Sequence, residues 1–252
     1  METTRTGVVI KLLEKNSAKK ELSLPKKIHW NITNGLNSGL TMFIVELSEK
    51  DIELETEVTS EDKENFFNLL ENLKIRIAFY IKSKNHVIST DQEIKRKAKK
   101  EILKIGSFIS EIDASKFDIP LICHIGGAKG NRKKSMSEFC KFFDGLSWKI
   151  QKQIAIINDE KPSLFSVKDL LSFTYIEKKI PIVFRTVSHR TNQGGLSYKE
   201  SLFLAASTWA ERANPILFYC PIKQEETVTV NDLNPYNLVI DVAFDNNLPD
   251  PQ

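Results

Sequence analysis

Short, nearly continuous runs of Val, Ile, Leu and Phe recur along this chain at Thr6–Leu12, Leu40–Glu46, Lys74–Ile81, Pro120–His124, Gln153–Ile157, Ile180–Phe184, Pro215–Tyr219 and Asn237–Phe244. Strict alternation of apolar and polar residues would mark strands wetted on one face. Unbroken runs of this length mark strands covered on both faces, as in a parallel sheet. Between them lie amphipathic stretches at helical spacing. Ser60–Asn72 opens with Ser60 as N-cap and stacks Phe66, Phe67, Leu69, Leu70 and Leu73 on one face. Asp91–Ile112, Lys134–Gln151, Ser166–Lys178 and Ser197–Arg212 follow the same pattern. Ser23–Gly39 carries Ile28, Trp30, Ile32 and Leu36, enough for a helix that Gly35 or Gly39 ends. Lys223–Pro235 is too polar and β-branched to be a full helix.

Eight β–α units in 252 residues predict an α/β fold, a (β/α)8 TIM barrel. No Pro/Gly/Ser-rich linker and no charge block divides the series, so one domain over 1–252 is expected. A doubly wound open sheet would need a phosphate-binding turn after its first strand, and Leu12-Leu13-Glu14-Lys15 stands there instead.

Composition changes this picture little. The chain is 41% hydrophobic and 27% charged, ordinary globular values. It has no apolar run of about 18 residues, and METTRTGVV lacks the apolar stretch of a secretion signal, so a cytoplasmic or nuclear protein is expected. Cys123, Cys140 and Cys220 are widely spaced and embedded in apolar or helical patterns, which reads as reduced, buried thiols. The net charge of +3 is too weak to imply a nucleic-acid partner by itself. The positive charge is nevertheless clustered, at Lys95, Arg96, Lys97, Lys99 and Lys100, and again at Lys129, Arg132, Lys133 and Lys134. A basic run is most often a solvated helix face; the second cluster adjoins a glycine loop and is the better place for phosphate contact.

That loop, Pro120 to Arg132, concentrates the candidate chemistry. A strand ends at His124, and Gly126, Gly127 and Gly130 open a loop able to take positive φ or to pass close to another group. A lone histidine there is as readily a residue bonded to a neighbouring carbonyl as a functional one. In a barrel, however, function gathers at the C-terminal ends of several strands. The other ends supply Glu46, Tyr80, Asn158-Asp159-Glu160, Arg185, Ser188-His189-Arg190 and Tyr219-Cys220, with Asp241 and Asp245 in and after the eighth strand.

These residues carry a resemblance. The pattern HxGGxxG at His124–Gly130, then Ile157-Asn158-Asp159-Glu160 with Ser166-Val167 and Asp169-Leu170-Leu171, then Ile180–Phe184 and Thr208-Trp209 leading to Pro215–Tyr219, resembles the UV damage endonuclease family over roughly Lys74–Tyr219. The resemblance implies a barrel of the xylose-isomerase-like and UV-endonuclease-like kind, whose strand ends hold divalent metals, usually Mn2+, and cut DNA 5′ to a lesion. Carried over by position, His124 matches the family histidine of its motif. Tyr80-Ile81-Lys82-Ser83 replaces His-Pro-Gly-Gln, and Ile157 replaces a glutamate. Arg185 replaces an aspartate, Ser188 a histidine, and Ile216 and Phe218 a lysine and a histidine. His189 matches a second family histidine.

The resemblance therefore implies a divergent member related to DNA repair, with an eroded metal site that leaves DNA cleavage in doubt. The catalytic residues are unknown, with His124, Asp159 and His189 as candidates, and the same three could hold one displaced metal ion. No cofactor is expected, or Mn2+ or another divalent metal if the protein is active. Lys129, Arg132, Lys133, Arg185 and Arg190 are the candidates for phosphate contact, with duplex DNA as the expected partner. Two alternatives stay open: an active metal-dependent endonuclease with substitute ligands, and a metal-free barrel that binds a small anion. The Arg185 guanidinium is expected either to pair with a carboxylate such as Asp159, Glu160 or Asp241 or to await an anion, and the pair is favoured because acidic residues crowd the neighbouring strand ends.

Overall fold

The computed structural model describes residues 5–11, 23–36, 41–54, 56–83, 86–112, 118–127, 130–210, 212, 215–219 and 237–240, the backbone only for 5–11, 34–35 and 237–240. Eight strands close into one parallel barrel in sequence order: β1 Arg5–Lys11, β2 Met42–Leu47, β3 Arg76–Ile81, β4 Leu121–Cys123, β5 Ile154–Ile157, β6 Ile182–Arg185, β7 Ile216–Tyr219 and β8 Asn237–Ile240. Closure is made by β8, which pairs with β7 at Leu217↔Leu238 and with β1 at Gly7↔Val239. The expected (β/α)8 barrel is thus the observed fold. Each strand falls within two residues of its predicted start, and the predicted end of the last one, beyond Ile240, lies outside the described residues, as does Lys223–Pro235.

The unbroken apolar runs reflect two separate apolar layers. One parity of β2 to β7 fills the barrel: Met42, Ile44, Ala78, Tyr80, Ile122, Ala155, Ile157, Val183, Ile216 and Phe218 form one buried cluster. The other parity, including Phe43, Val45, Phe79, Leu121, Ile156, Phe184 and Leu217, packs outward against the helices. Trp209 joins the inner cluster and donates its indole N–H to the Ile182 carbonyl at 2.7 Å, plugging the end where the strands begin. On that same face Arg212 binds Asp118 and reaches the Ile154 carbonyl at 3.1 Å. These bonds secure the floor of the barrel, and function belongs to the opposite rim.

The helical segments are α1 Leu24–Gly35, α2 Glu49–Glu53, α3 Ser60–Phe67, α4 Gln92–Ile112, α5 Arg132–Asp144, α6 Trp148–Gln153, α7 Val167–Leu170, α8 Ile176–Lys178, α9 Thr186–Thr191 and α10 Tyr198–Ser207. Several differ from expectation, α2 and α9 being unforeseen. The N-cap of α3 is Thr59, not Ser60: Thr59 and Asp62 form a reciprocal capping box that draws Ser60 into the first turn. A wider π-type turn over Asn68–Asn72 then changes the phase, so Phe66, Leu69 and Leu70 are buried while Phe67 and Leu73 face outward. The single helix expected over Lys134–Gln151 is two, broken at Gly145-Leu146-Ser147, where Gly145 caps α5 and Ser147 begins α6. Among the described residues no helix is long and apolar enough to cross a membrane.

Candidate functional site

The rim at the C-terminal strand ends is built by continuing the inward parity one pleat beyond the apolar cluster. On β2 this gives Glu46, after β3 Lys82, after β4 His124, after β5 Asp159, and on β6 Arg185. Inside the rim lies a hydrogen-bonded chain. The Tyr80 hydroxyl stands 2.9 Å from Nε2 of His124, and Nδ1 of His124 stands 2.7 Å from Oδ1 of Asp159. A carboxylate can only accept, so Nδ1 carries a proton; in the neutral ring Nε2 is then the acceptor and Tyr80 O–H the donor.

Each member is held from outside the chain. Phe218 meets the Tyr80 ring edge-on at 5.9 Å. The second Asp159 oxygen accepts the Phe165 N–H at 3.4 Å, and the Asp159 amide donates to the Phe165 carbonyl at 2.9 Å. Asn192, at the end of α9, donates to the Asp159 and Lys161 carbonyls at 3.0 and 3.1 Å. The next strand is clamped by Asn158, fully buried, whose Oδ1 accepts the Arg185 N–H at 2.7 Å and whose Nδ2 donates to the Arg185 carbonyl at 3.2 Å. Side-chain exposure rises outward, from 8% for Asp159 to 24% for His124 and 52% for Lys82.

Glu46 and Lys82 form a second pair on the rim, with Nζ 3.2 Å from a carboxylate oxygen. Behind the mouth, between β3, β4 and α4, a small cavity is lined by Ser83, His86, Glu101, Cys123 and His124. Burial holds His86 below the usual histidine range, with the neighbouring His124 lowering it further and Asp159 opposing. Burial also pushes the Cys123 thiol up to about 12, which makes it an inert packing group. Gly126 explains the glycine loop: at φ +108°, a Cβ added there would lie 2.5 Å from Cβ of His86. The loop passes too close to His86 for any side chain.

The sequence-derived candidates separate into two places. His124 and Asp159 are in direct contact at the mouth. His189 is not with them. It follows Phe184, whose parity points outward, and it lies in the helical layer with its ring 5.4 Å from Phe184 and 6.1 Å from Tyr198. The structure therefore does not assemble the trio His124, Asp159 and His189, and among the described residues no group of three His, Cys, Asp or Glu side chains is arranged to hold a metal ion. Neither nitrogen of His189 has a hydrogen-bond partner there, and burial lowers its pKa from the usual value.

Of the phosphate candidates, Arg185 ends β6 half-buried on the rim, and Arg190 and Lys133 are exposed on α9 and α5. Arg132 bridges to the β5–α7 loop, donating to the Pro162 carbonyl and standing 3.5 Å from Asp169. Lys129, Cys220, Asp241 and Asp245 lie outside the described residues. Sequence reading missed the Glu46–Lys82 pair, the Asn158 clamp and His86. Parity along β2 and β3 pointed to the first; Asn158 stood in the motif after β5 without a role, and His86 had no distinguishing signal.

The family model of UV-endonuclease UvdE matches residues 11–228. This chain belongs to the UV-endonuclease UvdE family. Among its relatives, the UV DNA damage endonuclease of Clostridium perfringens (strain 13 / Type A) is 28% identical over 191 residues, covering 74% of this chain and 45% of the relative. That of Bacillus mycoides (strain KBAB4) is 31% identical over 87 residues, 34% of this chain and 26% of the relative. The chain spans less than half the length of these UvdE relatives. The barrel superposes on the crystal structure of SacUVDE with a TM-score of 0.72 at 18% identity, covering 95% of this chain and 93% of that one. Endonuclease IV from Thermus thermophilus follows at 0.60 and 11% identity, covering 84% and 75%. At these identities the structural likenesses establish the shared barrel.

Proposed function

We propose that this UvdE-family barrel serves DNA repair by binding DNA through its phosphates, and that its mouth has exchanged the family's metal cluster for apolar packing and internal pairing. The observation that carries this reading is the inner cluster itself. Ile157, Ile216 and Phe218, at positions where the resemblance places metal ligands, are buried in the barrel with at most 2% exposure. An apolar side chain there supplies no donor atom, and its packing partners gain from keeping water and ions out. Arg185 adds a cation where the resemblance places an aspartate, and a cation at about 4 Å repels a divalent ion by several kcal/mol at an effective dielectric near 20.

The two inward carboxylates at the mouth among the described residues already have partners. Glu46 faces Lys82, and Asp159 holds His124 and the Phe165 amide. To recruit them, a metal would have to displace these contacts. The described residues thus do not fit a multinuclear site. What the described residues offer is positive charge: Lys82 and Arg185 at the rim, with Arg190 exposed on α9 and Lys133 exposed on α5. Such groups recognise phosphates without reading sequence.

The test is binding of duplex DNA, with and without ultraviolet lesions, across salt concentrations in the presence of a chelator. A binding constant that falls steeply with salt, by about one logarithmic unit per phosphate contact per decade, supports the DNA reading. A salt-insensitive or absent interaction contradicts it and favours a small anionic ligand.

A further inference from the structure

The chain Tyr80–His124–Asp159 has the connectivity of a nucleophile triad: a hydroxyl within hydrogen-bond reach of an imidazole nitrogen, whose other nitrogen is held by a carboxylate. We propose that Tyr80 is the nucleophile of a metal-independent phosphodiester-transfer site, with His124 as its base and Asp159 as the positioning residue. The choice of a phosphodiester rests on the DNA-binding reading above; the triad geometry does not. Three features place it beyond a structural hydrogen bond. The imidazole keeps 24% of its side chain exposed whereas its carboxylate keeps 8%, so the carboxylate anchors the ring from the buried side. Phe218 and the inner cluster pack against the Tyr80 ring and fix it, while its hydroxyl is held by His124. Lys82, which directly follows β3, continues the parity of Tyr80; its ammonium is paired with Glu46 at 3.2 Å with a half-exposed side chain, and an incoming phosphate would compete with that carboxylate for it.

The step balances without a metal or redox partner. A bond forms between Tyr80 Oη and phosphorus as the bond from phosphorus to the leaving oxygen breaks. The phenolic proton passes to His124 Nε2 and from there to the leaving oxygen, giving a phosphotyrosine-linked product and a free hydroxyl. In the second step His124 takes a proton from water, the water oxygen attacks phosphorus, and Tyr80 departs, recovering the proton from Nε2.

Bis(4-nitrophenyl) phosphate in excess chelator tests this. The expected result is a burst of up to one equivalent of 4-nitrophenolate per chain, with the 4-nitrophenyl phosphate mass on the peptide containing Tyr80. Tyr80→Phe, which keeps the ring against Phe218 and removes only the hydroxyl, should abolish both. Asp159→Asn should slow the burst about a hundredfold, and Asp159→Glu, which restores a carboxylate, should recover part of it. Absence of a burst in the wild type, an adduct on another residue, or a burst that survives in Tyr80→Phe overturns the proposal. Tyr80→Phe retains every cation of the rim, so salt-dependent DNA binding by this variant reports separately on the DNA reading.

Discussion

Two histidines, one after β4 and one after β6, meet opposite fates in this barrel. His124, at the end of β4, has both ring nitrogens engaged, by Tyr80 and by Asp159, and keeps a quarter of its side chain in the open. His189, in α9 after β6, is 1% exposed and has neither nitrogen bonded among the described residues. The difference is one of parity. The residue after β4 continues the inward face, where other polar ends converge. α9 turns its histidine outward into a layer made of Phe184 and Tyr198 rings. A polar ring at the converging rim becomes part of a network, whereas the same ring in the helical layer is filler with a desolvation cost.

The largest effect should come from cutting the mouth network. Asp159→Ala removes the acceptor of His124 and of the Phe165 amide, and should lower stability by about 2–3 kcal/mol, read as a drop in Tm of several degrees. A Tm within a degree of wild type would mean that the network carries no energy. The opposite sign is expected at the second histidine. His189→Leu exchanges two unbonded buried nitrogens for apolar contact with Phe184 and Tyr198, and should leave stability equal or raise it by about 1 kcal/mol at neutral pH. A loss of more than about 2 kcal/mol, in the range of a broken buried bond, would show that His189 is hydrogen-bonded after all.

The smallest effect is the pH slope. Burial lowers the pKa of His189 in the folded protein, so below about 6.5 the unfolded chain binds a proton that the folded one resists. The stability that the neutral ring allows is present above that pH and is lost as pH falls through the unfolded value toward the folded one. Wild type should lose more stability between pH 7 and 5 than His189→Leu does. His86 and His29, also lowered chiefly by burial, keep a residual slope of the same sign in the variant. Parallel curves for the two proteins would rule out a buried neutral His189.

Most of the barrel was legible because strands buried on two faces leave a strong signal. Ile154–Ile157 and Ile182–Phe184 are apolar at every position, since one parity fills the barrel and the other meets the helices. The glycine loop was legible too, because Gly126 serves a close approach. Helix boundaries were not, since they turn on side-chain bonds such as Thr59 with Asp62, which compete with an equally plausible Ser60. The site was half legible. Parity placed Asp159 above Ile157 on the face that His124 also uses, but nothing in the local pattern around His189 reveals that the chain after Arg185 turns into α9 and carries that ring away from the mouth.

The character proposed for the mouth depends on Ile157, Ile216, Phe218 and Arg185 excluding the cluster of divalent ions that the resemblance implies. The direct measurement is the manganese content of the purified chain after exposure to Mn2+ and removal of free ion, by elemental analysis. Fewer than two tightly held ions per chain is the result expected from these four residues. Two or more, retained through desalting and lost in Asp159→Ala, would contradict it.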